Sequence, residues 1–425
     1  METATISPVK EKFIASIEAH ESGLTQTNPE VVTKAKYALE ALDFPTTRHE
    51  EWKYTRTARI SNEQWKIIEN KSRIDITPFM IPKLNADVLV FVNGFYRDEF
   101  SQIASQNGVT ISKSIEEFEY DAQNFFQVLN VAYCTSALSI QVAKNIVAEK
   151  PIHILHIITN EKALAQAHIT INVAQSSQLH VVESFVVAPP SPLERAGVRS
   201  FTNRSLKISV AENAQVHLDK IQMEGDENFL LNEDNIHIDG NGRFTINTLT
   251  VDGGWVRNSL NISLDGQNIE ANLNAIFLPR RKQFVDNHTK VNHRFPNCNS
   301  NELYKGILNN QSIGVFNGKV YVQPDAQKTN AYQSNANILL SDDAQMNTKP
   351  ELEIYADDVK CSHGTTTGQM DENALFYLKS RGLGDENARR LLTTAFINDV
   401  LDKVENEEVK EYVVSELVKR ELLFN

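Results

Sequence analysis

From Pro151 to Val359 the chain is written almost wholly in short, β-branched runs of alternating polarity, among them HILHII, HITINV, LKISV, FTINTLTV and LNISL. Alternation with a period of two puts every second side chain on one face of a strand, so each run can bury one row and leave the other to be covered or solvated. Helical spacing almost disappears over this span. Polar turn cues recur before the runs, in VAQSSQLHVV at 173, VAENAQVHLD at 210, IDGNGRFTIN at 238, LDGQNIEANL at 264 and LSDDAQMNTK at 340. Their starts differ by 37, 28, 26 and 76 residues, a loose repeat of strand, polar turn and strand. Many short strands at such spacing fit a sandwich, a barrel or a β-solenoid, and the shortage of long hairpins with two-residue turns favours the solenoid.

The flanks read differently. At about 150 residues per domain, 425 residues suggest two or three domains. The first 45 residues predict two helices, with Phe13, Ile14 and Ile17 on one face and Val32, Ala35, Tyr37 and Leu39 in a second apolar-periodic stretch. In DVLVFVNGFYRDEF the Asn93-Gly94 dipeptide predicts a tight hairpin turn. After Met370 helical spacing returns: Asp371 and Asp385 are candidate N-caps, Gly382 a helix stop, and Val409, Val413, Val414 and Leu417 form one stripe of a last helix over 407–422, a face for core packing by default and for docking otherwise. The expected division is a helical and mixed region at 1–130, a β core at 131–368 and a helical region at 369–425.

Charge and apolar content remove several function classes. With 42 basic against 55 acidic side chains the net charge is −13, which repels nucleic-acid phosphates, and lysine and arginine are scattered rather than gathered on one stretch. No run of 18 apolar residues offers a membrane span, and METATISPVKEKFIASIEAHES lacks the basic-then-apolar layout of a signal peptide, so a cytoplasmic protein without a membrane or nucleic-acid partner is expected. Cys134, Cys298 and Cys361 lie far apart and fit neither a disulfide framework nor a paired zinc motif. Three thiolates are also too few to hold an iron-sulfur cluster alone.

Among candidate chemical motifs, GVFNGKV at Gly314–Val320 imitates a phosphate loop but has one residue too few between its glycines and Val320 where a hydroxyl would hold Mg²⁺; a turn between strands is the expectation. His288 and His293, five apart, fall on opposite faces of a strand. Arg280 and Arg281 read as a solvated turn or as ion-pair partners. The adjacent Asp357 and Asp358 would face opposite ways on a strand and cannot by themselves make a glycosidase pair. ADDVKCSHGTTTGQ is different. Cys361 and His363 are two apart, so an extended backbone projects both from one face, with Thr365 next in the row. A thiol and an imidazole so placed suit iron or zinc ligation, or a sulfur relay in which the imidazole lowers the thiol pKa; the competing reading is a buried structural cysteine beside a hydrogen-bonded histidine. A tetrahedral site needs about four ligands, so a metal held here would draw the rest from another chain.

Long stretches then carry a family likeness: LPRRKQFVDNHTKVNHRFP, SNELYKGIL, GVFNGKVYVQPDAQKTNAYQSNANILLS and NTKPELEIYADDVKCSHG between Leu278 and Gln369, with FPTTRHEEWKYT upstream and ALFYLKSRGL downstream. They resemble the SufB/SufD family of iron-sulfur cluster assembly scaffolds. The stretch Tyr332 to Leu340 lacks the cysteines that SufB carries before its final strands, so the likeness is to the SufD side. Thr365 departs from the alanine usual after the CSHG glycine.

The resemblance implies a mainly β protein: a right-handed parallel β-helix flanked by N- and C-terminal helical regions. It implies a non-catalytic scaffold subunit, paired with the paralogue SufB and carried on SufC ATPase subunits that alone bind ATP. It further implies that a transient iron-sulfur cluster assembles near Cys361 and His363 at the SufB–SufD interface, and that the C-terminal helices, with Val409, Val413 and Leu417, dock SufC. Binding of the reduced flavin associated with family complexes, and pairing of two copies of the isolated chain, stay open. The rival readings are a β-helix lyase or glycosidase, and a metal hydrolase built from His288, His293, Cys361 and His363.

Overall fold

The computed structural model describes residues 7–20, 28–104, 107–113, 118–188 and 198–422. Helices α1 (Pro8–Glu18) and α2 (Pro29–Ala41) each begin at a side-chain cap, Ser7 and Asn28, followed by proline in the first turn. Phe13, Ile17, Ala35 and Leu39 are buried as their spacing predicts, whereas Tyr37 is exposed. After α3 (Ala58–Ser61), β1 (Asp87–Val92) turns through Asn93 and Gly94, at φ 51° and 83°, into the antiparallel β2 (Phe95–Tyr96). This is the expected hairpin. Strand β3 (Val109–Ser112) and α4 (Phe125–Ala132) complete the N-terminal part.

The repeating part begins with β4 (Ser136–Val142), β5 (Ile152–Ile158), β6 (Leu164–Ala165), β7 (Ala167–Val173) and β8 (Gln178–Val187). It continues through β9 (Phe201–Val210), β10 (Gln215–Met223), β11 (Phe229–Ile238), β12 (Arg243–Asp252), β13 (Trp255–Leu264) and β14 (Glu270–Phe277). It closes with β15 (Phe284–His293), β16 (Asn299–Leu308), β17 (Ile313–Val322), β18 (Asn330–Leu339), β19 (Gln345–Ile354) and β20 (Lys360–Gln369). Helices α5 (Glu372–Ser380), α6 (Asp385–Leu401) and α7 (Glu407–Lys419) follow. Two sheets result: a front sheet ordered β2-β1-β5-β8-β10-β12-β14-β16-β18-β20 and a back sheet ordered β19-β17-β15-β13-β11-β9-β7-β4-β3. From β4 and β5 onward each strand pairs in parallel with the strand one turn of chain away, so the fold is a β-solenoid.

The turn cues explain the corners. Ser176, Asn213, Asn241 and Asn268 all take positive φ, between 56° and 59°, at corresponding places in the repeat. Asparagine and serine tolerate that conformation with little strain, which is why polar residues mark each corner.

Three expectations need correction. Gly314–Val320 lies inside β17 rather than in a turn, and a Cβ at Gly318 would come within 2.7 Å of the Phe316 ring, so the glycine is there for close packing. The α6 cap is Gly384, with Asp385 as the first helical residue, while Asp371 caps α5 as expected. And β1 pairs in parallel with β5, so the front sheet reaches back across the boundary expected at residue 130.

The inward rows of both sheets form the main core, including Leu206, Ile208, Leu218, Ile236 and Ile246. The outer faces are covered by the flanks. α1, α2 and α4 pack on the back sheet through Phe13, Leu39 and Phe126 against Phe201, Phe229 and Trp255. The RHEEWKYT segment is tied down there: the Arg257 guanidinium lies 3.9 Å from the Trp52 ring centroid and pairs with Asp286, which also accepts the Thr55 hydroxyl. On the front sheet, α6 and α7 bury Ile397, Val400, Val409, Val413 and Leu417 against Ile221, Leu249 and Ile276. The stripe expected to dock SufC is therefore turned inward. Each of Val409, Val413 and Leu417 is fully buried, at about 1.5–3 kcal/mol apiece, and removing the chain after Met370 would strip a sheet face rather than release an independent arm.

Candidate functional site

The solenoid ends open. β19 and β20 are the last strands of their sheets, and no described strand pairs with their far edges. The Lys360 N–H donates to the Thr329 carbonyl at 2.8 Å and the Gln345 N–H to the Ser312 carbonyl at 3.0 Å. Residues of a parallel strand alternate in which neighbour their backbone groups reach. Hence the backbone N–H and C=O of Cys361, His363, Thr365 and Thr367 point to the open edge of β20. On β19 the edge-facing positions are the even-numbered ones, and Pro350 sits among them, where a missing N–H removes no bond from the chain's own ladder. β20 thus presents an unbroken row of donors and acceptors, and β19 a row interrupted at its centre.

The side chains of Cys361, His363 and Thr365 share the inward face, in register with Ala331, Gln333 and Asn335 of β18. Cys361 is half-buried against a small apolar cluster of Val320, Val322, Ala331 and Ala356. Burial pushes its thiol pKa up, opposite to the activation expected from a neighbouring imidazole, so the free side chain is held as the thiol. His363 is exposed, as the terminal rung has nothing stacked upon it. The Thr365 hydroxyl donates to Asn335 Oδ1 at 3.2 Å, which gives the residue that departs from the family pattern a local role.

One rung below His363, Gln333 Nε2 donates to Glu302 Oε1 at 3.2 Å, and the Thr289 hydroxyl donates to Glu302 Oε2 at 2.6 Å. Burial pushes the Glu302 carboxyl up to about 7. The polar interior continues deeper, through Gln222, Asn258 and Asn287, to an ionic cluster in which Arg204 pairs with Glu183 and Asp234, and Lys220 with Asp234. This polar seam was not legible in the sequence. Its members are scattered polar letters in alternating runs, and alternation does not say which row faces inward once both faces of a sheet are covered.

Other residues singled out from sequence are kept apart. His288 stands beside Asp286 at 3.0 Å under the N-terminal segment, while His293 is buried on the opposite face with Ser300 at 2.9 Å. Neither meets Cys361 or His363 in one ligand set. Arg280 and Arg281 are ion-pair partners, of Asp252 and Asp226. Asp357 and Asp358 lie in the turn between β19 and β20. Cys134 and Cys298 are buried, and burial raises the Cys134 thiol to about 12. At the surface of the C-terminal region the apolar side chains left to solvent include Phe376 and Tyr377 of α5, 74% and 56% exposed. No helix among the described residues is long and apolar enough to cross a membrane.

Comparison with known proteins matches residues 156–396 to the core domain of SufBD proteins of the SUF iron-sulfur cluster assembly system, and residues 9–154 to the SufBD N-terminal region. An iron-sulfur cluster assembly SufBD family protein of Synechocystis is 29% identical over 386 residues, covering 86% of this chain and 85% of its own length. The iron-sulfur cluster assembly protein SufD of Escherichia coli is 28% identical over 386 residues, with 89% of each chain covered. A chloroplastic protein of Arabidopsis thaliana, ABCI7, is 25% identical over 396 residues, covering 88% of this chain and 82% of its own length. Nothing in these matches supports the carbohydrate-active reading.

Proposed function

The chain belongs to the SufBD family of iron-sulfur cluster assembly proteins and is a SufD homologue, and on that premise we propose that it is the scaffold subunit that completes an assembly site with a SufB-like paralogue across the open β20 edge. The observation that carries this reading is the end of the solenoid. A ten-residue strand with one row of its backbone groups unpaired is a template for strand addition, and natural proteins leave such an edge uncovered at the risk of unwanted pairing. Cys361 and His363 lie on that strand, and two ligands leave a cluster short of its usual four. The partner supplies the remainder. The nascent cluster is the cargo of the complex; His363, exposed on the terminal rung, is the group best placed to ligate its iron or steer sulfur, and Cys361 contributes only after losing a proton that burial favours keeping.

The C-terminal region carries the SufC-like ATPase in this reading. Because Val409, Val413 and Leu417 hold α7 to the front sheet, the docking face moves to the outward side chains of α5, Phe376 and Tyr377. Replacing His363 with Ala is expected to leave folding and complex assembly intact while lowering the iron and sulfide recovered with the complex, and Cys361→Ser to do so more weakly. A wild-type iron and sulfide content in the double variant, with the complex assembled normally, removes the shared site.

A further inference from the structure

On the outer face of the front sheet, beneath the junction of α6 and α7, His180, His217 and Asp219 converge. His180 and His217 are direct partners across β8 and β10, and Asp219 follows His217 by two on the same face. His180 Nε2 lies 2.8 Å from Asp219 Oδ2, and His217 Nε2 lies 3.3 Å from Asp219 Oδ1. Around a tetrahedral ion with bonds of about 2.0–2.1 Å, neighbouring ligand atoms stand roughly 3.3 Å apart. The ligand atoms of the three side chains lie within 4.8 Å of one another, a spacing that small side-chain rotations close to a ligand shell.

The surroundings complete the arrangement. Glu405, from the α6–α7 junction, places Oε2 3.7 Å from His217 Nδ1, beyond hydrogen-bond reach but near enough for its charge to favour a proton on that nitrogen and so direct Nε2 toward a metal. The Asn247 amide donates to Asp219 Oδ1 at 2.7 Å and to the Lys403 carbonyl at 3.2 Å, tying the cluster to the junction, and it also stands 3.0 Å from His217 Nε2, a contact that a bound ion replaces while Asn247 keeps Asp219 in place. Asp219 is fully buried, while the His180 side chain is 23% exposed and opens the site to solvent. Strands β12, β14, β16 and β18 separate this place from β20. It is independent of the assembly site.

We propose that His180, His217 and Asp219 bind one divalent first-row transition ion through two imidazoles and a carboxylate, with Glu405 and Asn247 as positioning residues. Imidazole and carboxylate together suit Zn²⁺, Fe²⁺ and Co²⁺ rather than Mg²⁺ or Ca²⁺. Bound there, the ion joins β8 to β10 directly and reaches the α6–α7 junction through Glu405 and Asn247.

The full chain carrying Cys361→Ser, titrated anaerobically with Co²⁺, tests this. One equivalent is expected to bind with ligand-field absorption and no thiolate charge-transfer band, to be displaced by Zn²⁺, and to be untouched by excess Mg²⁺. His180→Gln should weaken binding by more than about tenfold, and Asn247→Ala or Glu405→Gln by roughly 10–100-fold, the range for outer-shell partners of metal ligands. Thermal midpoints of His180→Gln and Glu405→Gln in metal-free buffer should match the parent, which separates lost ligation from lost folding. Absence of saturable Co²⁺ or Zn²⁺ binding, or binding that survives His180→Gln and Glu405→Gln unchanged, overturns the site and leaves a hydrogen-bonded cluster that merely seats the junction.

Discussion

Replacing Thr367 with proline separates the two sides of β20. Thr367 aims its N–H at the open edge, so the substitution deletes a donor that the chain itself does not use, as Pro350 already does on β19. Inside the chain it forfeits the 3.4 Å contact between the Thr367 hydroxyl and Asn337, and the thermal midpoint should stay near wild type. Thr366→Pro is the contrast, because Thr366 reaches back to β18, and proline there removes a bond of the chain's own ladder, at about 1–3 kcal/mol. Against an added strand, Thr367→Pro leaves one partner carbonyl unpaired and desolvated, at about 1–3 kcal/mol. That converts to roughly 5–150-fold weaker pairing. Sedimentation of the chain with its SufB-like paralogue over a dilution series measures it. Wild-type affinity in a normally folded Thr367→Pro variant would falsify pairing through β20; a midpoint that falls as far as that of Thr366→Pro would mean that the backbone facing of β20 is reversed.

Two further outcomes concern the interior. Ile208→Asp or Ile246→Asp places a carboxylate in the main core, where both isoleucines are at most 1% exposed, and should cost several kcal/mol and lower the thermal midpoint sharply; an unchanged midpoint refutes the inward assignment of those rows. Glu302 is protonated in the fold up to about pH 7 but gives up its proton near 4.5 once unfolded, so the folded state binds more protons between these values and stability falls as pH rises through them. At about 1.4 kcal/mol per pKa unit the loss is at most about 3.5 kcal/mol, and Glu302→Gln should gain on wild type between pH 5 and pH 8 in denaturant unfolding. Parallel pH profiles for the two proteins would show that Glu302 is not held protonated.

Local pattern alone determined much of this protein. Period-two runs punctuated by Ala-Glu-Asn-Ala and Asp-Gly-Asn-Gly corners specify stacked strands, because alternation and left-handed turn residues act within a few residues of one another. The spacing of two between Cys361 and His363 likewise put both on one face before any fold was known. The return of helical spacing after Met370 already placed the last strand before it. Only the tertiary structure decided that the following helices turn back along the front sheet and leave the edge of β20 unpaired, which sets the exposure of His363. The stripe Val409–Val413–Leu417 shows the same division: helical spacing predicts an apolar face, and whether the face meets its own sheet or a partner depends on where α6 delivers the chain. His180 and His217 stand at the same offset in two repeat units that start 37 residues apart, a signal present in the sequence. It acquires meaning only when β8 and β10 become neighbours, because strand pairing is a long-range contact and ligand geometry requires atoms within a few ångströms, a distance that separation along the chain does not encode.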